Sequence, residues 1–202
     1  EFYYCSNDTL GELAGQAFLA AMEKKGMPTD TGIIGVNMNV ENEALNHRIQ
    51  AFRDYIAANA PALKMTETYY NNNVVENSQT NAENIISSYG KELIGMYSGN
   101  NITADGVCNA VRGAGLGEKF VSVGVDSDDI EIKALRDGFL DAIVVQNAYE
   151  QGSQCMDNAI RTVVTGANPE TEKQINCPPV IVTTDNIDSA EIEFIMNPHL
   201  AN

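Results

Sequence analysis

Histidine is nearly absent: His47 and His199 are the only two in 202 residues. Cysteine is present four times, at Cys5, Cys108, Cys155 and Cys177, but never as a Cys-x-x-Cys pair. Without clustered imidazoles or paired thiols the sequence carries no metal-ligating motif. Two isolated histidines also leave little for general acid–base work. No Ser/His/Asp or Cys/His arrangement has supporting context, so no enzyme chemistry and no cofactor are expected. Basic residues are scarce too, 12 against 28 acidic, which gives a formal net charge of −16. Such an excess of carboxylates repels nucleic acid and anionic membrane surfaces, and a neutral small molecule or another protein is the better partner. No run of 18 apolar residues occurs, so the sequence holds no membrane-spanning segment. The chain opens at "EFYYC" with neither an initiator Met nor a basic, signal-like region, as though cut from something longer. The location of the parent protein is therefore not read from this end.

What is there suits a packed core. Apolar residues make up 44% and charged residues 20%, a balance of globular rather than disordered chains. The length fits one large domain or two small ones. The cysteines read as free buried thiols, with a Cys155–Cys177 bridge as the alternative pairing.

Short apolar runs alternate with amphipathic stretches. Strands are expected at 2–5, 32–38, 64–70, 92–98, 119–125, 139–145 and 180–184. Helices are expected at 9–25, 41–60, 81–90, 103–114, 127–138 and 149–165, from apolar residues at helical spacing and from their boundaries. The polar stretch 71–80 and the stretch 166–179 read as loops, and the residues after 184 as a short tail. Six strands alternating with helices up to Val145 imply an α/β fold with a doubly wound parallel sheet. In such sheets ligands bind outside the carboxyl ends of the strands.

The residues after each strand are thus the informative ones. They are Ser6, Asn7 and Asp8; then Asn39; then Asn71, Asn72 and Asn73; then Asn100 and Asn101; then Asp126 and Ser127; then Gln146 and Asn147. Arg48 lies in the helix after the second of these strands. Amides donate and accept, Asp accepts, Arg donates. That palette suits a ligand rich in hydroxyls. The bland reading is helix capping, which is favoured for Asn7, Asn39 and Asn101. Arg48 is by default a solvated charge. Gln146 is neither a favoured cap nor a turn former, and "DAIVVQN" looks built to present it. Other motifs fail on context. "GAGLGE" follows a helix and precedes a strand, the reverse of a dinucleotide loop. "DSDDIE" lacks the glycine and spacing of a calcium loop.

The stretch "MYSGNNITADGVCNAVRGAGLGEKFVSVGVDSDDIEIKALRDGFLDAIVVQNAYEQG" resembles the C-terminal half of sugar-binding periplasmic proteins of ABC transporters, of the ribose- and galactose-binding type. "NHRIQAFRDYI" resembles that family's R-x-x-G-F helix, with Ala51 in place of the glycine, and "SNDTLGELAG" resembles its DN…G…AG segment. The likeness runs from about Tyr4 to Asp188. It implies the type I periplasmic-binding-protein fold, two α/β lobes closing on a sugar, joined by three crossovers. Arg48, Asn100, Asp126 and Gln146 match sugar-contacting positions, and one of Asn71 to Asn73, with Asn73 taken as the site residue, falls near a position that often holds an aromatic.

The resemblance also implies that most of the N-terminal lobe is missing. Residues 1–147 would be the sugar-binding C-terminal lobe. Residues 148–179 would be a crossover helix and loop of the incomplete N-terminal lobe, and 180–202 a final strand and tail. The helix face of Met156, Ile160, Val163 and Val164 would then lack cover and either pack onto another copy, a homodimer through 149–165, or fold back irregularly. The function implied is a sugar receptor delivering its ligand to an ABC permease. Its place would be extracytoplasmic, in the periplasm or lipid-anchored at the outer face of a bacterial membrane. The alternative is the effector-binding domain of a LacI-type transcription regulator, and a small doubly wound enzyme is a third reading.

Overall fold

The computed structural model describes residues 2–166 and 173–198. In chain order its elements are β1 (Phe2–Tyr4), α1 (Asn7–Lys24), β2 (Ile33–Met38), α2 (Glu43–Asn59), β3 (Lys64–Tyr70), α3 (Val75–Tyr89), β4 (Leu93–Ser98) and α4 (Asn101–Gly113). They continue with β5 (Val121–Val125), α5 (Asp129–Asp137), β6 (Ala142–Val145), α6 (Ala148–Thr165), β7 (Gln174–Asn176), β8 (Val180–Val182) and α7 (Ala190–Met196).

Six strands form the main sheet, in the order β3-β2-β4-β5-β6-β8. The first five are parallel, and β8 closes the edge antiparallel to β6, with Ile143 opposite Val182. Both faces are covered. On one face Leu10, Ala14 and Phe18 of α1 meet Ile49, Phe52 and Ile56 of α2 over Val36, Tyr97, Val123 and Val144. On the other, α3 and α4 bury Ile85, Val107 and Val111 against Leu93 and Met96, and α5 and α7 bury Leu135 and Ile192 against Ile143 and Val182. This two-sided burial explains the uninterrupted apolar runs of β5 and β6.

The α1–α2 contact depends on small residues. A Cβ on Gly11 would lie 2.1 Å from the carbonyl oxygen of Arg48, and one on Gly15 2.7 Å from the Tyr55 ring. The two helices therefore approach closely enough to set where Arg48 starts.

β1 is not part of the main sheet, although the strand at 2–5 reads as its first member. It pairs in parallel with β7, with Phe2 opposite Gln174 and Tyr4 opposite Asn176, as a separate two-stranded ladder. β7 lies inside the stretch expected to be a loop; residues 167–172 of that stretch lie outside the described residues, as does His199. α6 packs along β1 and buries none of its residues fully. Met156, Ile160, Val163 and Val164 form a stripe on it that is 61%, 53%, 84% and 77% exposed. The expected tail contains α7, capped by Ser189, whose side chain accepts from the Ile192 amide.

Candidate functional site

The carboxyl edge of the main sheet gathers four of the five expected residues from four different elements, and the fifth joins them through a turn. Arg48 projects from the second turn of α2. It is 6% exposed, which removes the reading of a solvated surface charge. Its Nε donates to Asn7 Oδ1 at 3.0 Å and its Nη1 to the Gly99 carbonyl at 2.5 Å. Among the described residues Nη2 has no protein acceptor, so the guanidinium is braced on two sides and open on the third.

Asn100 is the N-cap of α4. Its Oδ1 accepts from Thr103 N at 3.2 Å and from Thr103 Oγ1 at 2.5 Å, and its Nδ2 donates to Asn73 Oδ1 at 3.3 Å. With its oxygen occupied, Asn100 can offer a ligand only a donor. Asn73 follows Asn72 in a turn where both take positive φ, 59° and 56°, a conformation Asn tolerates better than most residues.

Asp126 ends β5 with φ of 79°. Its amide still donates to Val144 O at 2.9 Å, which holds the left-handed turn against the next strand. The side chain is turned toward β6, where Gln146 Nε2 donates to its Oδ1 at 2.5 Å. Gln146 is partly buried. Oδ2 has no protein donor among the described residues. A non-glycine residue held in this region costs roughly 1–3 kcal/mol and clusters at functional sites.

Two joined groups result: Asn7–Arg48–Gly99–Asn100–Asn73, and Asp126–Gln146. The charges of Arg48 and Asp126 both reach Cys5 and Tyr97, which places the two near the same small region. Arg48 supplies a fixed cation, Asp126 a fixed acceptor, Asn100 a donor and Gln146 an amide. This set can hold vicinal hydroxyls, each donating to one group and accepting from another.

Capping falls on other residues than expected. Ser6, Asn42 and Asn100 cap α1, α2 and α4. Asn7 braces Arg48, Asn39 bonds the next backbone amide, and Asn101 donates to Asp128 Oδ2 at 3.2 Å. Behind the edge lies a buried amide and hydroxyl network that pattern reading did not find. Asn71 Nδ2 donates to Thr103 Oγ1 at 2.8 Å. Asn37 Nδ2 donates to Ser78 O at 3.0 Å, and Ser78 Oγ donates to Thr103 O at 2.7 Å. The sequence signals were Asn37 interrupting an otherwise apolar strand and Asn71 at the end of the next one.

The periplasmic binding protein domain family matches residues 3–167 of this chain. The chain belongs to the periplasmic binding protein family. Among solved structures it is similar to an ABC transporter solute binding protein from Agrobacterium vitis with bound D-fucose, at 29% identity and a TM-score of 0.80, over 95% of this chain and 63% of that one. A carbohydrate transporter solute binding protein from Agrobacterium radiobacter, in complex with D-arabinose, is 25% identical with a TM-score of 0.86, over 98% and 65%. A second Agrobacterium vitis solute binding protein, bound with alpha-D-tagatopyranose, shares the fold at 20% identity and a TM-score of 0.83, over 97% and 62%. The chain thus spans less than two thirds of the length of these three relatives.

In this periplasmic binding protein domain a cavity of about 720 Å³ lies at the opposite, amino edge of the sheet, lined by Lys24, Lys25, Leu140, Asp141 and Ile181 among others. Lys25 and Asp141 are ion-paired there at 2.6 Å. The polar residues at the carboxyl edge are not among those that line this cavity. Among the described residues no group of side chains could hold a metal ion, and no helix is long and apolar enough to cross a membrane.

Proposed function

We propose that this chain carries one wall of the sugar-binding cleft of an ABC-transporter solute receptor, an extracytoplasmic binding protein with no chemistry of its own. The observation that carries this reading is the gathering of the braced Arg48, the α4 cap Asn100 and the left-handed Asp126 at the carboxyl edge of one sheet. The bound D-fucose and D-arabinose of the two relatives at 25% identity or more support a monosaccharide as ligand. Arg48 and Asn100 donate to ring or hydroxyl oxygens. Asp126 accepts from a hydroxyl pair, oriented by Gln146, and Asn73 meets the ligand from the turn beside Asn100. Delivery of the sugar to a membrane permease follows from the transporter class of the relatives.

The lobe in this reading comprises 6–147 with 180–196, the residues of the main sheet and the helices that cover it. Residues 2–4, 148–165 and 174–176 belong to a second unit, and the apolar stripe on α6 pairs with a second copy of this chain. One wall supplies only part of a closed cleft's hydrogen bonds, each worth about 1.5–3 kcal/mol when charged groups take part, so the chain binds sugars weakly. The test is amide chemical-shift mapping with aldopentoses and aldohexoses at millimolar concentration. Shifts at Asn100, Asp126 and Gln146, lost in Asp126→Ala with the rest of the spectrum intact, are expected. Shifts confined to other regions, or none with any aldose, would refute the reading.

A further inference from the structure

We propose that Cys5 and Cys177 form a disulfide site that staples two of the chain's three passages between the main sheet and the β1–β7 ladder.

The placement follows from the ladder itself. Tyr4 lies opposite Asn176 in the last pair of the ladder, closed by the amide of Cys177, which donates to the Tyr4 carbonyl at 2.7 Å, and by Ser6 N, which donates to Asn176 Oδ1 at 3.1 Å. Cys5 and Cys177 are the residues that follow this last pair on the two strands. Adjacent strands run about 4.8 Å apart. Disulfides span Cα separations of about 4.4–6.8 Å. After this position the strands diverge. Ser6 turns the chain into α1 as its cap, and Pro178 has no N–H to continue the ladder. The two cysteines thus follow directly on the last point where the passages are hydrogen-bonded.

Their surroundings single them out from the other two cysteines. Cys5 is 9% and Cys177 1% exposed, and both are free thiols in this structure. Cys108 is buried among α5 and β6 residues on the far side of the sheet, and Cys155 is exposed on α6. The Cys177 thiol acts electrostatically on Cys5, as expected of neighbours. Burial, more than this interaction, pushes Cys5 up to about 11 and raises Cys177 as well.

The oxidant is a disulfide, either of a thiol–disulfide oxidoreductase or of a small molecule. One cysteine thiolate attacks it, forming a mixed disulfide and releasing one thiol. The second cysteine thiolate then attacks the cysteine sulfur of that mixed disulfide and releases the other thiol. The protein loses two electrons and two protons, and the oxidant is reduced to two thiols. The raised thiols are scarce as thiolates in the folded chain, so the bond forms most readily before β7 seats. Once formed it is a poor substrate for reduction, because a thiol of high pKa leaves slowly and Cys177 is inaccessible. Disulfides persist in oxidising compartments, so the biological setting rests on the extracytoplasmic reading above. The placement of the two cysteines does not, and the test below is independent of any ligand.

The test is to refold the reduced, denatured chain in glutathione buffers from fully reduced to fully oxidised, alkylate in denaturant, digest and read the peptides by mass spectrometry. A crosslinked peptide joining Cys5 to Cys177, with Cys108 and Cys155 alkylated, is expected under oxidising conditions. It should come with a rise in Tm of about 5 °C or more over the reduced protein. Cys155→Ser should keep both effects and Cys177→Ser should lose both. Alkylation of all four cysteines in the most oxidising buffer, or a bridge built on Cys155, would overturn the proposal, whether or not the chain binds sugar.

Discussion

Glu131 is enclosed by protein: it is fully buried, and neither carboxyl oxygen has a hydrogen-bond partner. Burial first, then the charges of Asp128, Asp126 and Asp105, push its pKa from 4.5 up to about 10. At neutral pH the folded chain therefore holds a proton that the unfolded chain has lost. Stability from this group is full below pH 4.5 and is lost as pH rises toward 10. The slope is up to about 1.4 kcal/mol per pH unit. Asp105, raised from 3.8 to about 7 by burial and Asp128, acts in the same sense at lower pH. Between pH 7 and 9 Glu131 makes the largest such contribution, with smaller ones in the same sense from Asp105 at the low end and from the raised thiols of Cys5, Cys108 and Cys177 at the high end. Wild-type Tm should fall across this range, and Glu131→Gln should remove most of that fall; a variant that keeps the wild-type slope would show that Glu131 is ionised in the folded state. A buried acid of this kind was not legible in the sequence, where "DSDDIE" reads as the acidic first turn of a helix. Arg48 was legible as a candidate through the family resemblance. Its burial was not, because the closeness of Asn7 and Gly99 depends on where α1 and β4 run.

The α1–α2 pair is the element on which Arg48 rests. At Gly11 the helices meet with the Arg48 carbonyl only 2.1 Å from where a Cβ would be, so the clash is with backbone rather than with a yielding side chain. Gly11→Ala should destabilise by about 1–3 kcal/mol, the usual cost of overpacking, seen as a lower urea midpoint. Gly113→Ala, at a helix end with nothing within 4 Å, is the control and should be neutral or slightly stabilising. Equal midpoints for Gly11→Ala and wild type would mean that the helices can part without cost. Apolar spacing located these elements well: β3 is at 64–70 as expected, and α1 and α2 differ by one or two residues at their ends. α3 was placed six residues late, because the face it buries starts with Ser78, a polar residue that satisfies itself on Thr103 O and accepts from Asn37. Likewise β7 has three residues, two of them polar, and owes its existence to pairing with β1 across most of the chain. Neither partner carries a local pattern that names the other.

At the scale of the whole molecule the unresolved balance is between a well-covered sheet and a helix with little cover. α6 has the spacing of a buried amphipathic helix, with Met156, Ile160, Val163 and Val164 at i, i+4, i+7 and i+8, yet this stripe faces outward. Contiguous exposed apolar side chains favour association, and a two-fold pair of identical stripes is the simplest closed way to bury them. The chain should therefore self-associate through α6. Light scattering should give masses rising from 21.9 kDa toward twice that value with concentration. Replacing Val163 and Val164 together by Asp should hold the mass at the monomer value at every concentration. Neither residue is buried, so Tm of the dilute protein should change little. Wild-type protein monodisperse at the monomer mass across the same range would rule out the dimer. Association that persists unchanged in the double variant would move the interface elsewhere, the apolar wall of Ala17, Ala20, Ala21 and Ile181 around the amino-edge cavity being the next surface to test.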